Sequence, residues 1–110
     1  MSYNITGTTI TMTRGDTMVA LINITQRDGR PYTPVEGDTV RFAMKTNYTD
    51  IKPLLVKEIP IDTMELVLNP EDTADLKFGK YVYDVQLTKA DGTVDTFITK
   101  ASLRIAEEVD

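Results

Sequence analysis

Segments in which apolar and polar residues alternate recur along this chain and limit the folds open to it. In the clearest one, Val40, Phe42 and Met44 lie on one side of an extended segment, and Arg41 and Lys45 lie on the other. This two-residue period predicts a β-strand with one buried face. The same test, applied along the chain, predicts about seven strands. They cover Ile10 to Met12, Val19 to Ile24, Val40 to Lys45, Leu54 to Ile59, Met64 to Leu68, Tyr81 to Leu87 and Val94 to Ile105.

The turns between these segments favour a single sandwich domain. Asp28-Gly29 and Asp91-Gly92 each stand between strand candidates, and glycine supplies the positive φ of a tight turn, so each pair predicts a hairpin. Apolar residues occupy both faces of Val19 to Ile24, which predicts a central strand covered on both sides. No linker divides the chain. We therefore predict an all-β, immunoglobulin-like antiparallel β-sandwich over residues 1–110.

One segment breaks the strand pattern and predicts a short helical turn near residues 70–76. Asn69 suits a helix N-cap, Pro70 suits the first turn, and the acidic residues Glu71 and Asp72 complement the positive end of the helix dipole. Gly79 is predicted to end this turn through a positive φ. Domains of the immunoglobulin-like class often fix such a corner with a tyrosine hydroxyl, a role open here to Tyr81 or Tyr83.

Charge and composition exclude several classes of function. The formal net charge is −5, and no run of Lys and Arg forms a stripe that could neutralise a phosphate backbone, so we predict no nucleic-acid partner. The longest apolar stretches are only a few residues, and the start of the chain lacks the basic and then apolar layout of a secretory signal. We therefore expect no membrane partner and no export by the chain itself.

The residue types present also argue against catalysis. The chain has no His and no Cys, which removes the commonest general base, the Ser-His-Asp arrangement and the cysteine nucleophile. Carboxylate pairs such as Asp72 with Asp75, or Glu58 with Asp62, are interpreted as solvated surface charge. No segment has the Asp-x-Asp-x-Asp-Gly spacing of a calcium loop. We predict no catalytic, cofactor-binding or metal-binding residue; partner-binding residues are not indicated.

Two short motifs can each be interpreted either as a binding signal for another protein or as an ordinary structural feature. Arg14-Gly15-Asp16 matches the tripeptide that adhesive proteins present to integrins, but Gly15 also permits an ordinary turn between two strands, the interpretation we favour. Glu107 to Asp110 resembles the chain end that chaperones offer to helical-repeat cochaperones, although an acidic chain end needs no such partner. Three glycosylation sequons, beginning at Asn4, Asn23 and Asn47, are interpreted as chance matches.

The order of motifs resembles one family over nearly the whole chain. In the first half the matching runs are Arg14 to Thr17, Asp28 to Tyr32 and Gly37 to Phe42. In the second half they are Leu68 to Leu76, Gly79 to Val85, Asp91 to Val94, Leu103 to Ile105 and Glu108-Val109. Together they are similar to the N-terminal domain of siphophage baseplate upper proteins, which are tail proteins of phages and prophages of Gram-positive bacteria.

The resemblance implies a non-enzymatic structural protein of the virion. Such a module, made in the host cytoplasm and located in the tail or baseplate, acts by protein–protein interaction. The implied partners are other phage tail or baseplate proteins, and a homo-oligomer is one form that such assembly takes. An alternative from another class is an adhesion or carbohydrate-binding module of a bacterial surface protein, in which Tyr81 and Tyr83 form a platform on which sugars stack.

Overall fold

The chain folds into β-sheets with one short helix. The computed structural model describes residues 3–6, 8–25, 28–47 and 49–107, with the backbone alone at residues 3–6, 99 and 100. The first strands are β1 (Tyr3–Thr6), β2 (Thr9–Thr13), β3 (Met18–Leu21), β4 (Ile24–Thr25) and β5 (Pro31–Tyr32). They are followed by β6 (Thr39–Lys45), β7 (Leu55–Ile59), β8 (Glu65–Leu68), the helix α1 (Pro70–Thr73), β9 (Gly79–Thr88) and β10 (Val94–Ala106). The prediction of an all-β chain is confirmed, and β1 and β5 are additions to the predicted strands.

Six strands form one mixed sheet. Its order is β1-β2-β10-β9-β6-β7, and neighbouring strands are antiparallel except β2 and β10, which run parallel. The strands β3 and β8 form a separate antiparallel pair in which Met18 lies opposite Leu68. The short strands β4 and β5 form a third sheet.

The inward faces of the six-stranded sheet and of the β3–β8 pair share one hydrophobic core. Phe42 on β6 and Tyr83 on β9 both belong to it, with ring centroids 5.3 Å apart. Leu66 and Leu68 on β8 belong to the same buried cluster. Alternation along each strand places these apolar side chains on one face, and burying that face against a second layer removes it from water. The predicted burial of Phe42 is confirmed, and Tyr81 and Val85 on β9 are buried as well.

The prediction that Val19 to Ile24 forms a central strand is wrong. The segment is divided into β3 and β4, and in the described part of the chain β3 pairs with β8 alone. Ala20 and Ile22 are buried, whereas Leu21 is exposed. The strand thus has one buried face, and the apolar residues of its other face point away from the core.

Both predicted Asp-Gly hairpins are present. Gly29 and Gly92 have φ of 88° and 92°, values that an L side chain rarely adopts. The carboxylate of Asp28 accepts the amide of Arg30 at 3.0 Å, and that of Asp91 accepts the amide of Thr93 at 2.9 Å. Each aspartate thus satisfies a turn amide two residues further on, the local bond that favours aspartate in turns.

The predicted helical turn forms the corner between β8 and β9. The carboxylate of Asp72 accepts the backbone amide of Asn69 at 2.7 Å, which satisfies a donor at the start of α1. Gly79 has the expected positive φ, 143°, but it begins β9 instead of ending the helix. The helix ends at Thr73, and its C-cap Ala74 keeps a right-handed conformation. The role predicted for Gly79 at the helix end is therefore wrong.

Candidate functional site

The Arg14-Gly15-Asp16 turn is packed against the corner between β8 and β9. The amide of Gly15 donates to the hydroxyl of Thr73 on α1, 2.9 Å away, and Thr73 is fully buried. The amide of Arg14 donates to the carbonyl of Ala106 at 3.1 Å. All three residues of the tripeptide are half-buried. This geometry favours the structural interpretation, because an integrin ligand presents the tripeptide on an exposed loop.

The side chain of Arg14 continues this contact towards the segment that precedes β9. Its guanidinium lies over the ring of Phe78, 4.3 Å from the centroid, and donates to the carbonyl of Leu76 at 3.4 Å. A guanidinium over an aromatic face is attracted by the ring quadrupole. One face of Phe78 is therefore covered by a cation, while the residue as a whole remains 45% exposed.

An open groove lies beside Phe78 at one end of the six-stranded sheet. It has a volume of about 540 Å³ and is lined by Thr46, Leu54 and residues 75–81. Thr46 directly follows β6, Leu54 directly precedes β7, and the remaining lining residues connect α1 to β9 and begin that strand. Leu54 is 50% exposed, so two large apolar side chains face solvent at this groove. We call this feature the Phe78 groove.

The charged residues at the Phe78 groove are mostly basic, on a chain that is acidic as a whole. Lys77 and Lys80 line it together with a single acidic residue, Asp75. Lys80 on β9 is paired with Arg104 on β10, and both residues are exposed. Side chains directly opposite one another in an antiparallel pair have Cβ atoms about 5 Å apart, and like charges at that distance repel. In the described part of the chain, no carboxylate lies within ion-pair distance of Lys80 or Arg104.

The Phe78 groove was not foreseen in the sequence. Its residues come from two distant segments, and the pairing of Lys80 with Arg104 depends on the register of β10. The only local signal is Phe78 itself, a large aromatic residue between Lys77 and Gly79 that follows no strand alternation.

Tyr81 and Tyr83 do not form a sugar-binding platform. Both side chains are buried on the inward face of β9. The Tyr81 hydroxyl donates to the carbonyl of Lys77 at 2.6 Å, and the Tyr83 hydroxyl donates to the carbonyl of Thr8. Burial raises the pKa of Tyr83 to about 12. The predicted corner tyrosine is Tyr81, and the alternative reading of this pair as a glycan platform is wrong.

The carboxylate pairs raised by the sequence do not converge on a reaction centre. Asp72 binds the ammonium group of Lys57 at 2.9 Å, in addition to the Asn69 amide, so this carboxylate has a structural role. Asp75, Glu58 and Asp62 are exposed. Within the described ranges, no group of three or more acidic residues is arranged to hold a metal ion.

A network of polar contacts joins β5, the loop before β6 and the β9–β10 hairpin. The buried carboxylate of Asp38 accepts the Tyr32 hydroxyl at 2.6 Å and the Val35 amide at 3.0 Å. These two bonds hold the pKa of Asp38 below its ordinary value, and the bond to Asp38 raises the pKa of Tyr32. The ammonium group of Lys89 lies 5.1 Å from the centroid of the Tyr32 ring. The network holds the loop before β6 against β5.

Two further surfaces are a sheet edge, formed by β7, and the outward face of the β3–β8 pair. Within the residues that the structure describes, β7 pairs with β6 alone and forms one edge of the six-stranded sheet. On the outward face of the β3–β8 pair, Val19 lies opposite Val67, and Leu21 lies opposite Glu65. Leu21 and Val67 are exposed. A sheet edge and an apolar outer face are both features through which β proteins bind other chains.

Some motifs fall partly outside the described residues. This holds for residues 108–110 of the acidic chain end, for the side chain of Asn4 in the first sequon and for Tyr48 in the third. Asn23 of the second sequon is exposed. No helix in the described part of the chain has the length and apolar character needed to span a membrane.

The chain was compared with protein-family models, with curated proteins and with solved structures, and none of these comparisons returned a significant match.

Proposed function

We propose that this chain is a non-enzymatic assembly module of a phage or prophage tail, located in the baseplate region of the virion and acting through other tail proteins. The proposal rests on the likeness of its ordered motifs to the N-terminal domain of siphophage baseplate upper proteins. One observation supports it most. Two successive matching runs, Leu68 to Leu76 and Gly79 to Val85, lie in a single strand–corner–strand unit, in which the Tyr81 hydroxyl is bonded to the carbonyl of Lys77 between the two runs.

We also propose that the sheets form an immunoglobulin-like sandwich. In that fold the third, sixth and seventh strands share one sheet, which an added strand can extend. The second and fifth strands pair with each other in the facing sheet. The neighbours β10-β9-β6-β7 and the separate pair β3–β8 are arranged in the same way. The Tyr81 hydroxyl closes the corner before β9. The immunoglobulin-like fold has its tyrosine corner at the equivalent point, near the start of the sixth strand.

An assembly role is consistent with the surfaces of the molecule. The edge strand β7 offers backbone groups to an added strand, and the outward face of β3–β8 exposes Leu21 and Val67. Such surfaces allow a small domain to bind neighbouring chains or further copies of itself. The adhesion or carbohydrate-binding alternative has no comparable support, since its proposed aromatic platform is buried.

Co-purification tests the proposal. The tagged chain is expressed together with the proteins encoded beside its gene, and the eluate is analysed by size-exclusion chromatography with light scattering. We expect a stable complex with a tail or baseplate protein. A chain that stays monomeric at high concentration, co-purifies with no tail protein and binds cell-wall glycan instead would contradict the assembly role.

A further inference from the structure

We propose that the Phe78 groove is a docking site for a short acidic segment of a partner polypeptide that also carries apolar side chains. This inference rests on the proposed function, because it names the surface by which the module binds a neighbouring protein. Three features of the groove support it: an apolar floor, a basic rim and an unfavourable charge pair that a carboxylate would relieve.

The apolar floor calls for an apolar side chain from the partner. Leu54 and Phe78 are both about half exposed at the groove, and both belong to segments held by other contacts. The amide of Leu54 donates to the carbonyl of Met44 at 2.7 Å, and the Phe78 ring lies under the guanidinium of Arg14. The groove is therefore largely formed before binding, which lowers the entropy lost when a ligand enters. Its volume of about 540 Å³ is that of an ordinary ligand pocket.

The basic rim selects an acidic partner. Lys77 and Lys80 line the groove, Arg104 stands beside Lys80, and Asp75 is the acidic residue among the lining side chains. The chain as a whole carries −5, but at physiological salt the charges beyond about 8 Å are largely screened. A carboxylate in the groove therefore interacts chiefly with these nearby cations. Nucleic acid is disfavoured, because it would bring many more negative charges than this rim neutralises.

The pairing of Lys80 with Arg104 gives the site a specific attraction for a carboxylate. Two cations directly opposite one another across a strand pair destabilise the free protein. A carboxylate placed between them removes that repulsion and adds two attractive contacts. Lys80→Glu should create an attractive pair with Arg104, so it should preserve or raise stability while it weakens binding.

The test is a titration with a fluorescein-labelled decapeptide in which Glu and Leu alternate. Binding is followed by fluorescence anisotropy, and amide chemical shifts of the labelled protein locate the site by NMR. We expect saturable binding with shifts concentrated at Leu54 and residues 75–81, weakened several-fold between about 50 and 300 mM NaCl. Decapeptides that alternate Glu with Ser, or Lys with Leu, should bind about tenfold more weakly or not at all.

Charge-matched variants separate binding from folding. Lys80→Glu should weaken binding of the Glu-Leu peptide by about tenfold or more, with its urea midpoint unchanged or raised. Phe78→Ser tests the apolar floor and should weaken the same binding several-fold. Arg30→Glu changes the charge equally in the exposed β4–β5 turn, away from the groove, and should leave binding within about twofold of wild type.

Three results would overturn the inference: no saturable binding by the wild type, binding that is unaffected by Lys80→Glu, or displacement by inorganic polyphosphate as efficient as by the Glu-Leu peptide. The last would identify a general polyanion site. Failure of the proposed function is a separate result. If both the wild type and Lys80→Glu co-purify with a tail protein, the assembly role stands but the groove is not the docking site. If the wild type binds no tail protein, the proposed assembly role fails, and the peptide titration tests the groove independently.

Discussion

The hydroxyl of Tyr81 donates a hydrogen bond to the backbone carbonyl of Lys77, 2.6 Å away, and so closes the corner that connects α1 to β9. The ring is buried, so this carbonyl is satisfied by a side chain from the core. The bond also restrains the segment that lines the Phe78 groove, since Lys77, Phe78 and Gly79 lie inside the loop that it closes.

Tyr81→Phe should lower the free energy of unfolding by about 1 kcal/mol, because it removes this hydrogen bond and keeps the buried ring. Urea denaturation measures the effect, and an unchanged m-value would show that the unfolded surface is the same. Tyr81→Leu, which also loses aromatic packing, should cost more. An unchanged midpoint for Tyr81→Phe would mean that the bond does not stabilise the corner.

The ion pair between Lys57 and Asp72 should contribute more than the ion pair between Arg30 and Asp28. The first joins β7 to α1 at 2.9 Å, with side chains 25% and 13% exposed; the second spans 3.5 Å, with side chains 82% and 54% exposed. Asp72→Ala should cost about 1 to 2 kcal/mol, since it removes both the ion pair and the acceptor of the Asn69 amide. Arg30→Met, the matched control, should change stability by less than about 0.5 kcal/mol. Equal losses in chemical denaturation would contradict this ranking.

Asp38 should make the protein less stable in acid. Its pKa is lowered in the folded state by the Tyr32 hydroxyl and the Val35 amide, so the unfolded chain binds the proton more readily. The stabilisation is present above the ordinary value of 3.8 and is lost as the pH falls through the lower folded value. Tyr32→Phe should shift the carboxyl resonance of Asp38 to titrate at higher pH in a ¹³C NMR titration. A curve identical to that of the wild type would exclude this hydrogen bond as the main cause.

Tyr83 should make the protein less stable in alkali. Burial raises its pKa from 10.0 to about 12, so the folded chain retains the phenolic proton over a range in which the unfolded chain loses it. The stabilisation is complete below pH 10 and declines as the pH rises towards 12. In Tyr83→Phe, the urea midpoint should therefore decrease less steeply as the pH rises from 10 to about 12. Absorbance at alkaline pH gives an independent check, because Tyr83→Phe should remove phenolate absorbance that develops towards pH 12.

Gly37→Ala and Gly29→Ala should differ in cost although both glycines have positive φ. A Cβ at Gly37 would lie 2.9 Å from the Cβ of Ala90, whereas a Cβ at Gly29 would meet no atom within 4 Å. Gly29→Ala should cost about 1 to 2 kcal/mol from backbone strain. Gly37→Ala should cost about 1 to 3 kcal/mol more, because the loop before β6 and the β9–β10 hairpin must separate. Thermal unfolding compares the two, and equal losses would show that the contact relaxes freely.

The local features of this fold were predictable because each depends on residues that are neighbours in sequence. Alternation such as that of Val40, Phe42 and Met44 specifies a strand with one buried face. The Asp-Gly pairs specify hairpins through the positive φ of glycine, and the Asn69 to Asp72 run specifies a helical turn. The same local features supported two further predictions: that the fold is all-β, and that a tyrosine hydroxyl closes the corner before β9.

The tertiary structure alone decided which strands meet and where the groove forms. Alternation does not encode strand order, so the parallel pairing of β2 with β10 and the single-faced burial of β3 could not be read from it. Two register shifts in β10 precede the pairing of Lys80 with Arg104, and a shift by a single residue would have moved Arg104 to the other face. The groove combines Leu54 with residues 75–81, segments that the sheet order β7-β6-β9 brings to the same end of the sheet. The physical reason is that register and layer contacts are set by burial summed over the whole chain, whereas sequence patterns report on one segment at a time.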